Sequence, residues 1–229
     1  MTIQVLLPGT RPVPSPTLHY YAGYTWGMPV GDTAPWCAGV VITPRWLKRF
    51  AGEGCHLPVI LDNGAWPAYA AGRVPDFGAQ LEGLHEGIEA LGEQLEWVIA
   101  PDVVGDAGAS WSRTLSSLTC LWEQRGRLLL PVQDGSCLRD YVTLAREEGD
   151  GIFVGGSTKE VKRRMVERIR AIDSSVYVHV GRISRERELM HAAEHAVDSF
   201  DTTTFMRRQD ANRAIAWRPR FQRWVRREA

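Results

Sequence analysis

The sequence predicts an α/β fold, a compact TIM (β/α)8 barrel, on three observations. Eight short, continuous apolar runs recur along the chain, as parallel strands buried on both faces should. Stretches with apolar residues three and four apart follow most of them. Polar residues gather where the runs end, and in a barrel those ends open on one face. The alternative is an open doubly wound sheet. No Gly-rich dinucleotide fingerprint follows the first run, and Gly155-Gly156 lacks the further glycine of a phosphate loop.

The first run, Ile3–Leu7, is stopped by Pro8-Gly9. Residues 10–36 read as a long loop rich in proline and aromatics, with Tyr20, Tyr21, Tyr24, Trp26 and Trp36. Loops of that length in compact domains are functional or disordered, and the aromatics argue against disorder. Ala38–Ile42 is the second strand, followed by a short helix over Pro44–Ala51. Pro58–Leu61 ends in Asp62-Asn63-Gly64, and a helix over Asp76–Leu91 carries Phe77, Leu81, Leu84, Ile88 and Leu91 on one face. Trp97–Ala100 ends in Pro101-Asp102, before a helix over Gly108–Gln124. Leu128–Val132 ends in Gln133-Asp134-Gly135, before Cys137–Glu148. Ile152–Val154 ends in Gly155-Gly156-Ser157, before Thr158–Ile172. Val176–Val180 ends in Gly181-Arg182, before Ser184–His195. Val197–Phe200 ends in Asp201, and a helical, arginine-rich tail broken by Pro219 runs from residue 205 to 229. The whole chain, 1–229, reads as one domain.

With 27 basic and 27 acidic residues the net charge is zero, so no global field steers the protein to nucleic acid or to a membrane surface. The four cysteines, Cys37, Cys55, Cys120 and Cys137, show neither C-x-x-C nor zinc-ligand spacing. They read as reduced, mostly buried thiols, which with the absence of a signal-like start suggests a cytoplasmic protein. No apolar run approaches the length of a membrane span.

The candidate site residues are those at the strand ends: Asp62, Asp102, Gln133, Gly155, Gly156, Arg182 and Asp201. Carboxylates crowded on one rim push their pKa values apart, which separates acid from base. Each has a structural reading too. Asp62-Asn63-Gly64 could be a turn, Asp102 or Asp106 a helix cap, and Asp201 before three threonines an Asx-turn. His179 reads as a satisfied core histidine, and the remaining histidines show no partner spacing. No G-x-S-x-G elbow supports serine hydrolase chemistry.

Taken in order, Asp62-Asn63-Gly64-Ala65-Trp66, Pro101-Asp102, Val132-Gln133-Asp134-Gly135, Val154-Gly155-Gly156, Val180-Gly181 and Ser199-Phe200-Asp201 resemble the motifs of the tRNA-guanine transglycosylase superfamily. The resemblance covers most of the chain from Pro58 to Arg207. It implies a TIM barrel that exchanges guanine in nucleic acid for a 7-deazaguanine base, without a cofactor. It implies Asp201 as nucleophile and Asp62 as general acid/base. Asp102 would read the guanine edge, with Gln133 and the backbone of Gly155 and Gly156 assisting and Trp66 stacking on the base. Arg182, Arg207 and Arg208 would contact nucleic acid. The family's full-length members carry a zinc subdomain after the nucleophile. Here an arginine-rich tail follows instead, so the expected substrate is DNA more than tRNA, the expected incoming base is a 7-deazaguanine such as preQ0, and no metal is expected. Two rivals use the same residues. One is an N-glycoside hydrolase or nucleosidase with water in place of the incoming base; the other is a non-catalytic nucleic-acid-binding barrel. The oligomeric state is left open, a homodimer being one option.

Overall fold

The computed structural model describes residues 3–4, 17–24, 37–122 and 127–203. Eight parallel strands close into a barrel: β2 (Thr17–Gly23), β3 (Gly39–Ile42), β4 (Val59–Leu61), β5 (Leu95–Ile99), β6 (Leu128–Val132), β7 (Gly151–Val154), β8 (Tyr177–Val180) and β9 (Ser199–Thr202). Each pairs with the next, and β9 closes on β2 with Tyr21 beside Asp201. The barrel predicted from the sequence is therefore the fold.

Its first strand is not the one expected. Ile3–Gln4 (β1) lies outside the parallel ring, antiparallel to the start of β2. The barrel begins at Thr17, inside the stretch read as a loop. Prolines at 14 and 16 and the run of tyrosines obscured it, although tyrosine favours strands. Leu18, Tyr20 and Ala22 pack outward against the helical layer, while Tyr21 points into the barrel. The rest of the expected 10–36 loop, and the tail from residue 204, lie outside the described residues.

Seven helices ring the barrel among the described residues: α1 (Leu47–Gly52), α2 (Ala65–Ala70), α3 (Phe77–Leu91), α4 (Ala107–Trp122), α5 (Leu138–Glu148), α6 (Lys159–Ile172) and α7 (Glu186–Glu194). Six match expectation; α2 follows Gly64, whose φ of 75° is a conformation that glycine adopts without strain. Local chemistry starts several of them. Asp76 accepts from the Ala79 N–H (2.7 Å), and Asp106, not Asp102, caps α4 through the Ala109 N–H (2.9 Å).

Strand alternation sorts the core into two layers. Val40, Leu61, Val98, Leu130, Val154 and Val178 face the helices, against Phe50, Leu84, Tyr141 and Ile169. Tyr21, Val41, Ile60, Trp97, Ile99 and Leu129 fill the barrel. Burial on both faces makes the strands read as unbroken apolar runs. Each fully buried large aliphatic or aromatic side chain contributes about 1.5–3 kcal/mol. Inward positions near the C-terminal ends change character: there the residues are His179, Asp201 and Gln133.

Candidate active site

Parallel strands deliver their last inward residues to one mouth. Asp62 follows β4, Asp102 lies three residues past β5, Gln133 follows β6 and Gly155 follows β7. Arg182 follows β8 by two residues, and Asp201 sits within β9, one residue before its end. With Trp66 of α2 and Gly156, all of these expected site residues line one cleft. Arg207 and Arg208 lie outside the described residues.

Asp102 is the most constrained member. It is 3% exposed, accepts from Asn63 Nδ2 at 3.0 Å, and takes a short hydrogen bond from Gln133 Nε2. Burial pushes its pKa up to about 7; the Asn63 bond opposes this, and the charge of Asp62 adds to it. Gln133 Oε1 in turn accepts the N–H groups of Gly156 (2.8 Å) and Gly105 (3.1 Å). Glycine at 155 lets the Gln133 amide stay against Asp102, because a Cβ there would overlap that amide and displace it. Behind Asn63, Gln80 donates to Asn63 Oδ1 (3.3 Å) and accepts from Arg113 (2.7 Å). One polar network thus runs from helix α4 to the strand ends.

Asp62 is half-buried, and Oδ1 accepts the Gly64 N–H at 2.6 Å, so the turn reading of this residue holds alongside its place in the cleft. Burial lifts its pKa to about 6; the Gly64 bond opposes this, and the charge of Asp201 adds to it.

Asp201 is 7% exposed, and its Oδ2 lies 3.2 Å from His179 Nε2. His179 Nδ1 is 2.8 Å from Ser199 Oγ, which accepts from the Tyr177 hydroxyl at 2.7 Å. With Tyr177 donating, the Ser199 proton goes to Nδ1 and leaves the ring proton on Nε2, aimed at Asp201. The imidazole stacks on Phe153 (5.6 Å between centroids) and meets Tyr21 edge-on. His179 is buried, as a core histidine would be, yet it is also the hydrogen-bonding partner of the candidate nucleophile. Its sequence signal is parity: His179, Ser199 and Asp201 share the inward face of adjacent strands, with His179 registered to Ser199. A Cβ on Gly181 would come within 2.5 Å of Phe153, so glycine keeps this packing possible.

Two cations complete the cleft. The Arg182 guanidinium sits over the Trp66 ring, 3.1 Å from its centroid, with its backbone at φ 62°. Lys162 of α6, absent from the candidates at the strand ends, reaches the same cleft and donates to the Gly181 carbonyl at 2.7 Å. Its one sequence signal is rarity: Lys48, Lys159 and Lys162 are the only lysines.

Among the described residues one group has metal-ligating donors close together. Glu167, His191 and His195 offer atoms within 4.8 Å of one another, on α6 and the end of α7, away from the cleft. The expectation that the remaining histidines lack partner spacing is thus corrected: His191 and His195 stand one helical turn apart, and His191 Nε2 is 2.9 Å from Glu167. All four cysteines lie among the described residues and none is in a disulfide; Cys37 is buried, Cys55 and Cys120 are partly buried and Cys137 is exposed. No helix of the described residues is long and apolar enough to cross a membrane.

Fold and site define a TIM barrel with a carboxylate-lined mouth, in which burial raises the pKa of Asp62 and of Asp102 toward neutrality. The sequence matches no protein-family model and no curated protein.

Proposed function

We propose that this barrel is a guanine transglycosylase acting on nucleic acid, DNA rather than tRNA, with a 7-deazaguanine such as preQ0 as the incoming base. One observation carries the reading: Asp62, Asp102 and Asp201 converge on one cleft in three different environments. Asp201 Oδ1, the oxygen that His179 does not hold, attacks the anomeric carbon while the bond to the guanine nitrogen breaks, leaving a covalent glycosyl-enzyme ester. Asp62, with a pKa near 6, holds a protonated fraction near neutrality and gives that proton to the departing base. The resulting carboxylate takes a proton from the incoming base, whose nitrogen then displaces Asp201. Asp102 accepts the two adjacent donors of the guanine edge, and that pairing favours its charged form. Trp66 supplies the aromatic wall that a base drawn out of its stack requires.

The test is mass spectrometry of nucleosides from DNA and from tRNA of cells expressing the protein, with and without a supply of preQ0. Incorporation of the deazaguanine into DNA, together with a trapped protein–DNA adduct that Asp201→Asn loses, is the expected result. Full exchange by Asp201→Asn removes the nucleophile assignment. Asp62 is half-buried, so water can reach the place of the incoming base. Release of free guanine without incorporation of labelled preQ0 favours the hydrolase reading instead.

A further inference from the structure

We propose that Lys162 and Arg182 together grip a phosphate beside the sugar that Asp201 attacks, so the substrate is a phosphate-bearing nucleotide unit and not a free nucleoside. This rests on Asp201 being the residue that meets the sugar.

The two cations are mechanically joined. Lys162 projects from the first turn of α6, and its ammonium is bonded to the carbonyl of Gly181, the peptide that leads into Arg182. Both line the cleft with Asp201, and both feel its charge. Their donors are largely unspent. Lys162 has three N–H groups, and among the described residues one is bonded. Arg182 has five, and among the described residues its partner is the face of Trp66. A phosphate is the anion that always accompanies a nucleoside in a nucleic acid. It suits an arginine fork and a lysine point charge used together.

Two features show that this arrangement is held against a cost. Arg182 occupies left-handed backbone, which non-glycine residues avoid and which persists where surrounding structure imposes it. Burial lowers the Lys162 pKa to about 8, and the charge of Arg182 acts in the same direction while that of Asp201 opposes it, so the two neighbouring cations are held at a net cost that a further anion would relieve. The competing reading makes them counter-ions for the carboxylates. Asp201, whose charge acts on both, already has His179 as its hydrogen-bonding partner, and among the described residues neither cation is hydrogen-bonded or ion-paired to a carboxylate.

The experiment measures binding by the wild-type protein and by a K162M/R182M double variant. The probes are guanosine, guanosine 5′-monophosphate, a short single-stranded DNA with one guanosine, and the same DNA with neutral methylphosphonate linkages flanking that guanosine. Wild type should bind the natural DNA about tenfold or more tighter than the methylphosphonate form, with a salt dependence that the neutral linkages reduce. In the double variant the ratio should fall to near one. R182Q alone, at an exposed position, should show part of the loss with an unchanged melting temperature. Monophosphate binding as tight as the DNA, and lost in the double variant, supports the phosphate grip and assigns it to free nucleotides. Equal binding of both DNAs by wild type, or an unchanged ratio in the double variant, overturns the inference. The assay needs no base exchange. DNA held through these phosphates but never modified or trapped defeats the transglycosylase reading alone. A trapped adduct indifferent to the flanking phosphates defeats this inference alone.

Discussion

His179 Nε2 lies 3.2 Å from Asp201 Oδ2, with the imidazole fixed from behind by Ser199 and from the side by Phe153. One carboxylate oxygen is thereby held, and the other, outside this contact, is the one that attacks the sugar in the proposed mechanism. A ring proton on Nε2 makes His179 the donor in this contact, where Asp201 is 7% exposed.

Replacing His179 by phenylalanine keeps the stacking on Phe153 and removes the donor. The rate of adduct formation should fall about 10–100-fold, the equivalent of one buried hydrogen bond to a charged group, with KM for the nucleic acid little changed. Ser199→Ala leaves Nδ1 without its partner and should show a smaller loss. Single-turnover kinetics separates this from a structural defect, which would lower the melting temperature in proportion.

Gly155→Ala should weaken base binding without touching a carboxylate. The added Cβ overlaps the Gln133 amide, which must swing away from Asp102. Overpacking of this kind costs about 1–3 kcal/mol. The expected outcome is about a tenfold or greater loss in guanine affinity by calorimetry, with Asp201 chemistry intact once the site is saturated.

Stability should depend on pH through Asp102. Its pKa is raised from the ordinary carboxylate range to about 7 in the folded protein. The folded state therefore binds more protons than the unfolded chain between about pH 4 and pH 7. Stability contributed by this group is full below the unfolded value and declines as pH rises to about 7. A tenfold difference in proton affinity between the two states is worth about 1.4 kcal/mol, and Asp62 adds a smaller effect because it is half exposed. Denaturant melts at pH 5 and pH 8 should show the wild type more stable at pH 5, and Asp102→Asn should remove most of the difference. An identical pH dependence in that variant would be inconsistent with a carboxyl held near neutrality by burial.

Activity should follow the protonation of Asp62. With its pKa near 6, the fraction of enzyme holding a transferable proton falls as pH rises above that value. The glycosyl-transfer step should slow with an apparent pKa near 6, and Asp62→Asn should be slow at every pH. A profile that is flat from pH 5 to pH 8 would move the acid/base role to another group.

The strands from Gly39 onward, and the described helices other than α2, were legible because barrel strands are buried on both faces and helices on one, so period and composition carry the pattern. The strand at Thr17–Gly23 was not, since its tyrosines and flanking prolines resemble a loop when no neighbouring strand is in view. Asp62, Asp102 and Asp201 were legible because a carboxylate that ends an apolar run is conspicuous. His179 and Lys162 were missed for opposite reasons. His179 lies inside a strand, where burial is the ordinary expectation, and Lys162 lies on a helix, where exposure is.

What the sequence by itself determined was the barrel and the list of residues at its mouth. Alternation, strand length and turn chemistry are local properties, written along the chain. What only the tertiary structure decided is which of those residues touch. Closure of β9 on β2 and the register of β8 with β9 set His179 against Asp201, and the packing of α6 beside β8 set Lys162 beside Arg182. Those contacts join residues from separate elements, and their distances and pKa values depend on burial that exists only once the barrel has closed.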